Sequence, residues 1–310
     1  MKNTLPFISV VVSTYNSAST VLATLNSIRN QTYEGQIELI VSDDNSSDTT
    51  VEVVNKWLSE NKNYFKQAQL LQTSTNTGVV GNLNRACKEA KGDWIKTIAG
   101  DDLLTDSALS DFVSFVNNSA EYVDFVASSV KTFGDDVELT DVEKLPIMYG
   151  SCNHMVDLDF VYKNPTFWFP GPSFFIRRST LSSIGYYPDV VRNVEDAPLL
   201  YSLLANGYKL YYLDKPTIYY RWHRNSITQS EGRVKMAEYR NTAFDAILLP
   251  TFDKYRQLDL KLYFLPSKYM IRHKNQRKVR YEILKAISKL ARCAYRLLFS
   301  SALKQAKRMQ

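Results

Sequence analysis

The chain has 310 residues, 45% apolar and 23% charged, a globular make-up that excludes a disordered or fibrous protein. No apolar run approaches the roughly 20 residues needed to span a bilayer, and the run from Phe7 to Val12 is too short for a signal-peptide core, so a cytoplasmic protein is expected. The net charge of +6 hides an asymmetry: residues 251–310 hold 16 Lys/Arg against 3 Asp/Glu, and the rest of the chain holds 22 against 29.

Ile8–Ser13 is a β-branched run and reads as a buried strand. Thr20–Asn30 carries Val21, Leu22, Leu25 and Ile28 at helical spacing. Ile37–Ser42 reads as a second strand, and Asp48 and Thr49 are placed to cap a helix running to about Glu60. Ala68–Thr73 is a third strand, Asn82–Ala90 a helix, and Trp94–Ala99 a fourth strand ending at Gly100-Asp101-Asp102. Strand and helix alternate three times, which predicts βαβ units and a mostly parallel sheet. Residues 125–160 are less regular. Ala197–Asn206 reads as a helix stopped by Gly207. Tyr208–Leu213 and Thr217–Trp222 read as two short strands flanking Asp214-Lys215-Pro216. Arg277–Lys304 is the clearest helix of the chain.

Ligands of such sheets sit outside the carboxyl ends of the strands. Polar clusters fall there: Ser13-Thr14-Tyr15-Asn16, Asp43-Asp44-Asn45 and Asp101-Asp102. There is no GxGxxG, P-loop, HExxH or GxSxG motif, and His154, His223 and His273 are too few and scattered for a histidine cage. Carboxylates are left to carry the chemistry, in the pairs Asp43-Asp44, Asp101-Asp102 and Glu195-Asp196. Adjacent carboxylates repel, and a hard cation such as Mg²⁺ or Mn²⁺ relieves that repulsion while gripping substrate phosphates. Each pair also has a plainer reading: Asp102 as a cap for the helix starting near Asp106, Asp44 as turn chemistry, Asp196 as the N-cap before Ala197-Pro198.

The order of these segments resembles the family 2 glycosyltransferases of GT-A fold. Ile8 to Asn16 is similar to that family's first strand and loop, and Glu38 to Asp48 to its second strand with the "DD-G/N-S-x-D" loop. Asn76-Thr77-Gly78 through Ile95 matches "NxG…AKGxxI", Ala99 to Asp102 sits at the DxD position, and Asn193 to Asp196 resembles the "ED" segment. The resemblance covers about residues 6–225. It implies an α/β GT-A nucleotide-diphospho-sugar transferase fold, with a mostly parallel central sheet, flanking helices and a C-terminal helical extension. It divides the chain into a nucleotide-sugar-binding half (1–105), an acceptor-binding half (106–225) and a basic extension (226–310).

The implied activity is inverting transfer of a sugar from a UDP-sugar to a hydroxyl of a glycan or lipid-linked acceptor, as in synthesis of a bacterial envelope polysaccharide. By position, Ser13, Tyr15, Asp44, Asn76 and Asp101 would bind the donor, Asp102 would hold Mn²⁺ or Mg²⁺ with His223 as a further candidate ligand, and Asp196 would be the general base, with Glu195 the alternative. Two departures stand out: the first Asp of DxD is Ala99 or Gly100 here, and Leu83 stands where the family often has Arg. A sugar nucleotidyltransferase and a non-catalytic membrane adaptor with a decayed pocket are the competing readings.

In the tail, Lys285, Lys289, Arg292 and Arg296 fall on one helix face, and Ile283, Ile287, Leu290, Ala294, Leu297 and Leu298 fall opposite. That pattern suits an anionic membrane surface, through residues 277–304 at the inner face of the cytoplasmic membrane. The plain alternative is a helix docked on the body. No nucleic-acid motif accompanies the basic residues, so nucleic acid is not an expected partner. The Phe167-Trp168-Phe169 patch is either a platform for an acceptor sugar or core. Cys87, Cys152 and Cys293 lie far apart without a CxxC and read as buried apolar residues.

Overall fold

The computed structural model describes residues 5–134, 155–165, 167, 169–222, 235–236, 238–272 and 282–294. The first half follows the alternation written in the sequence: β1 (Ile8–Thr14), α1 (Val21–Arg29), β2 (Ile37–Asp43), α2 (Thr50–Asn61), β3 (Gln67–Gln72), α3 (Gly78–Glu89) and β4 (Trp94–Ala99). Then come β5 (Leu103–Leu104), α4 (Ala108–Asn118), β6 (Phe125–Gly134), β7 (Met155–Val156), α5 (Leu158–Lys163), β8 (Phe174–Arg177), α6 (Arg178–Ser183), α7 (Asp196–Ala205) and β9 (Leu210–Trp222). A helix Lys254–Arg272 and helical residues 282–294 form the C-terminal extension.

Among the described residues the strands form one sheet in the order β3-β2-β1-β4-β8-β6-β9-β5, with β7 beside β9. β3, β2, β1 and β4 run parallel, as the βαβ pattern predicts. Beyond β4 the sheet is mixed: β8 is antiparallel to both β4 and β6, and β6 is parallel to β9. The inner strands β1, β2 and β4 are mostly apolar and buried because both faces are covered, whereas the edge strand β3 is half-buried. On one face α1, α2 and α4 bury Leu25, Trp57 and Phe112 among Val10, Val12 and Leu39. On the other, α3 and α7 bury Ala86, Leu200 and Leu204 against Val11, Ile40 and Ile95.

Two elements differ from the sequence reading for local reasons. Helix α3 starts at Gly78, four residues before Asn82, because Asp44 on the neighbouring loop caps it through space. Residues 208–222 make one strand from Leu210, not two: the Asp214-Lys215-Pro216 segment stays in the ladder as an irregularity opposite Ser128 and Ser129.

The extension is attached by a buried charge. Asp259 is fully buried and accepts from Arg292 Nε at 2.9 Å and from Tyr162 Oη of α5 at 2.9 Å. The Ser288 hydroxyl donates to the Leu262 carbonyl. Arg292 therefore faces the helix Lys254–Arg272, which corrects its place in a solvent-facing cationic stripe; Arg296 lies outside the described residues. Cys87 is buried as expected, and burial pushes its thiol up to about 12. Cys293 is exposed, against expectation, and Cys152 lies outside the described residues. Of the aromatic patch, Phe169 is buried core and stacks on Tyr212, and the partly buried Phe167 packs edge-on against it; Trp168 lies outside the described residues. No helix among the described residues is long and apolar enough to cross a membrane.

Candidate active site

Strand register assembles the site. Ser13 of β1 stands opposite Ser42 of β2 and Ala99 of β4, so the three polar loops leave the same edge of the sheet. They open into a cleft of about 1000 Å³. Ser13, Tyr15, Asp44, Asn76, Asp101, Asp102, Glu195 and Asp196 all line it, so the residues singled out in the sequence are brought together. His223 lies outside the described residues.

The loops after β1 and β2 are stitched to each other. The Asn16 backbone N–H donates to the Ser46 hydroxyl at 2.8 Å, and the Ser47 N–H donates to the Asn16 side-chain carbonyl at 2.8 Å. Both Asn16 and Asn45 adopt positive φ, which asparagine tolerates better than most residues. Asp43 is used within this seam, accepting from the Thr14 hydroxyl at 3.0 Å and the Ser46 N–H at 2.8 Å. Tyr15 stays half exposed at the mouth.

Asp44 turns the other way. Its buried carboxylate accepts from the backbone N–H groups of Thr77 (2.9 Å) and Gly78 (2.7 Å) and from the Thr77 hydroxyl (2.6 Å). It thereby satisfies donors at the start of α3, where a negative charge also meets the positive end of the helix dipole. Asn76 is fixed beside it: Arg192 donates to the Asn76 side chain at 2.8 Å. Gly78 is required here. Its φ is +79°, and a Cβ would stand 2.5 Å from Arg192 Cγ.

Asp102 is buried and half satisfied. One oxygen accepts the Arg221 backbone N–H of β9 at 2.8 Å. The other, Oδ2, has no hydrogen-bond partner among the described residues. Burial first, and then the neighbouring Asp101 charge, push its carboxyl well above the ordinary range. The less buried Asp101 follows β4 in the turn beside it. Lys96 lies beneath, fully buried, donating to the carbonyls of Thr97, Pro172 and Phe174. Burial pushes its ammonium down to about 7, against the charge of Asp102, which raises it.

Glu195 and Asp196 enter from the N-terminus of α7. Asp196 accepts from the Ala197 N–H at 2.6 Å. Burial pushes Asp196 up to about 6, against the Ala197 N–H and Arg240, which pull it down. Burial and then the Asp196 charge push Glu195 up to about 8. Glu195 reaches over the turn at Gly171, where a Cβ would stand 2.4 Å from its Oε1. Burial thus favours the protonated forms of a carboxyl pair that lines the same cleft as the carboxylates of the sheet edge.

That contact gives a prediction. Gly171→Ala is expected to displace the flexible Glu195 side chain while leaving Tm within about 1 °C, and to lower turnover by roughly 10–100-fold, the scale of a 1 Å misplacement. Parallel thermal melts and steady-state rates check it; an unchanged rate would show that Glu195 does not shape the site.

Sequence reasoning missed the cations. Arg192, Arg221 and Arg240 line the cleft from three separate segments and supply positive charge that the Leu83 position lacks. Only Lys96 left a local signal, a lysine in the middle of an otherwise apolar strand.

This arrangement can be set beside known proteins. The family model "Glycosyl transferase family 2" matches residues 9–185, more than half of the chain. The chain is 25% identical over 232 residues to the Escherichia coli UDP-Glc:alpha-D-GlcNAc-diphosphoundecaprenol beta-1,3-glucosyltransferase WfaP, covering 72% of this chain and 80% of that protein. It is 32% identical over 120 residues to the putative glycosyltransferase EpsE of Bacillus subtilis, covering 39% of this chain and only 42% of EpsE. A solved structure of residues 1–349 of Staphylococcus aureus TarS in complex with UDP-GlcNAc superposes with a TM-score of 0.58 at 18% identity, covering 92% of each chain. That likeness is one of fold, and it is the GT-A type the sequence predicts. With the match running from β1 to the end of α6, the chain belongs to glycosyl transferase family 2.

Proposed function

We propose that the protein transfers a sugar, with inversion, from a UDP-sugar to a hydroxyl of a lipid-linked glycan of a bacterial envelope. The observation that carries the reading is the buried oxygen of Asp102, unpartnered among the described residues, in a carboxylate that lines the same cleft as the Glu195-Asp196 pair. A buried carboxylate oxygen without a donor is costly and calls for a cation. Among the described residues no three His, Cys, Asp or Glu side chains converge into a metal cage. The residues fit a Mn²⁺ or Mg²⁺ held by Asp102, with Asp101 beside it, and completed by phosphate oxygens of the donor. Such an ion, when bound, would neutralise charge developing on the departing diphosphate.

The chain's own residues do the rest. Ser13 and Tyr15 flank the nucleotide, and Asp44 holds the Asn76–Gly78 turn that shapes its pocket. Arg192 and Arg221 add positive field around the diphosphate. Asp196 takes the proton of the acceptor hydroxyl as its oxygen bonds to the anomeric carbon and the bond to UDP breaks. The segment to residue 105 serves the donor, and residues 106–225 serve the acceptor. The lipid-linked acceptor is supported by the diphosphoundecaprenol named for WfaP, an anchored substrate that would bring the enzyme to a membrane surface.

A thermal-shift screen of UDP-sugars tests the reading, because a ligand held at 100 times its Kd stabilises by about 2.7 kcal/mol. UDP and one UDP-sugar are expected to raise Tm by several degrees, more so with Mn²⁺. Product analysis discriminates the nucleotidyltransferase, which would release pyrophosphate instead of UDP. No shift with any nucleotide would favour the adaptor.

A further inference from the structure

The two helices of the C-terminal extension leave one side unexplained. Leu258 (46% exposed), Leu265 (44%), Ile283 (54%), Ile287 (55%) and Leu290 (71%) all face solvent. The helix of residues 282–294 is docked the unusual way round: its buried contacts are polar, through Ser288 and Arg292, while Ile283, Ile287 and Leu290 form an uncovered stripe. On Lys254–Arg272 the positions Lys254, Leu258, Lys261 and Leu265 recur at helical spacing, and all four are exposed.

These two stripes lie on one side. Asp259 meets Arg292 and Leu262 meets Ser288, so the helices run antiparallel. Leu258 and Lys261 each precede a contact residue by one, as Ile287 precedes Ser288. One residue is 100° around a helix. Seen from one end, antiparallel helices wind in opposite senses, so a step back from the contact leads to the same side of the layer on both. The result is a patch of five large aliphatic side chains with Lys254 and Lys261 set among them.

We propose that this face docks on a membrane surface rich in anionic lipid, its leucines and isoleucines at the headgroup boundary and Lys254 and Lys261 against anionic headgroups. Charge decides between occupants. A second copy of the chain would set these lysines near their own counterparts, whereas an anionic surface complements them. The proposal rests on the lipid-linked acceptor for its purpose and on the helix geometry for its location.

The test is co-sedimentation of the full chain with phosphatidylglycerol-containing vesicles and with pure phosphatidylcholine vesicles. The wild type is expected to bind the first and not the second. The triple variant Leu258→Ser/Ile287→Ser/Leu290→Ser is expected to bind at least about 100-fold more weakly, from the loss of three large buried side chains. Its Tm and its response to UDP should be unchanged, because the three residues are exposed and remote from the cleft. Lys254→Glu/Lys261→Glu should weaken binding and remove the preference for anionic lipid. Undiminished binding by the triple variant, equal binding to neutral vesicles, or a dimer in light scattering that the triple variant dissolves would each overturn the proposal. Vesicle binding that follows these variants, with transfer confined to water-soluble acceptors, would support the surface and overturn the lipid-linked reading alone.

Discussion

Asp196→Asn is expected to lower kcat by about 10²–10⁴-fold, the worth of a positioned general base, with UDP binding retained. The amide keeps the acceptor oxygen that holds the Ala197 N–H, so the start of α7 need not move. The pH dependence follows from the same burial. Wild-type transfer should rise as pH passes about 6, where Asp196 ionises, while Glu195 keeps its proton until about 8. Both folded-state values lie above the ordinary carboxylate range, so the folded protein binds protons that the unfolded chain has released. Stability is then fully present at acid pH and is lost as pH rises through those values. Asp196→Asn should therefore match the wild-type Tm near pH 4 and exceed it at pH 8, while losing the activity that the wild type shows at pH 8. Calorimetry and rate profiles across that range check the pair of effects. A variant that melts below the wild type at pH 8 would show that the buried pair is not a site of stored repulsion.

Asp102→Asn is expected to abolish the Mn²⁺-dependent part of the UDP thermal shift and to lower kcat/KM on the order of 10³-fold, the scale of several kcal/mol of lost charge stabilisation. The substitution is nearly isosteric and keeps an oxygen for the Arg221 N–H, so β9 should stay in register. What it removes is the charge on the oxygen that no group among the described residues satisfies. Isothermal titration with Mn²⁺ and UDP, run beside Asp101→Asn, separates the two carboxylates. If Asp101→Asn alone removes the metal response, the cation belongs to the exposed member of the pair.

The first half of the fold was legible because its inner strands are buried on both faces and its helices carry one apolar stripe each; Ile8–Thr14 and Trp94–Ala99 need no tertiary information to be recognised. The start of α3 was not, since Gly78 and Gly81 look like breakers and the cap, Asp44, is 33 residues distant from Thr77. The β9 strand was split because Asp214-Lys215-Pro216 has turn chemistry, and only its pairing with β6 keeps it extended. Asp44, Asp101 and Asp102 were readable from their place after strands, whereas Glu195 and Asp196 stand at the start of α7. Their division of labour was not: adjacency says nothing about Asp43 turning into a loop seam while Asp44 caps a helix. The arginines were invisible for the same reason, as Arg192, Arg221 and Arg240 converge only in three dimensions.

Asp259 has a practical consequence for anyone trimming or fusing this protein. A boundary placed between residues 272 and 288 would delete Arg292 and Ser288, and with them the ion pair to Asp259 and the hydrogen bond to the Leu262 carbonyl. Such a cut removes one side of the junction between the two helices of the extension. Poor solubility of a shortened version would then report this broken junction rather than an intrinsic need of the catalytic fold for its basic tail.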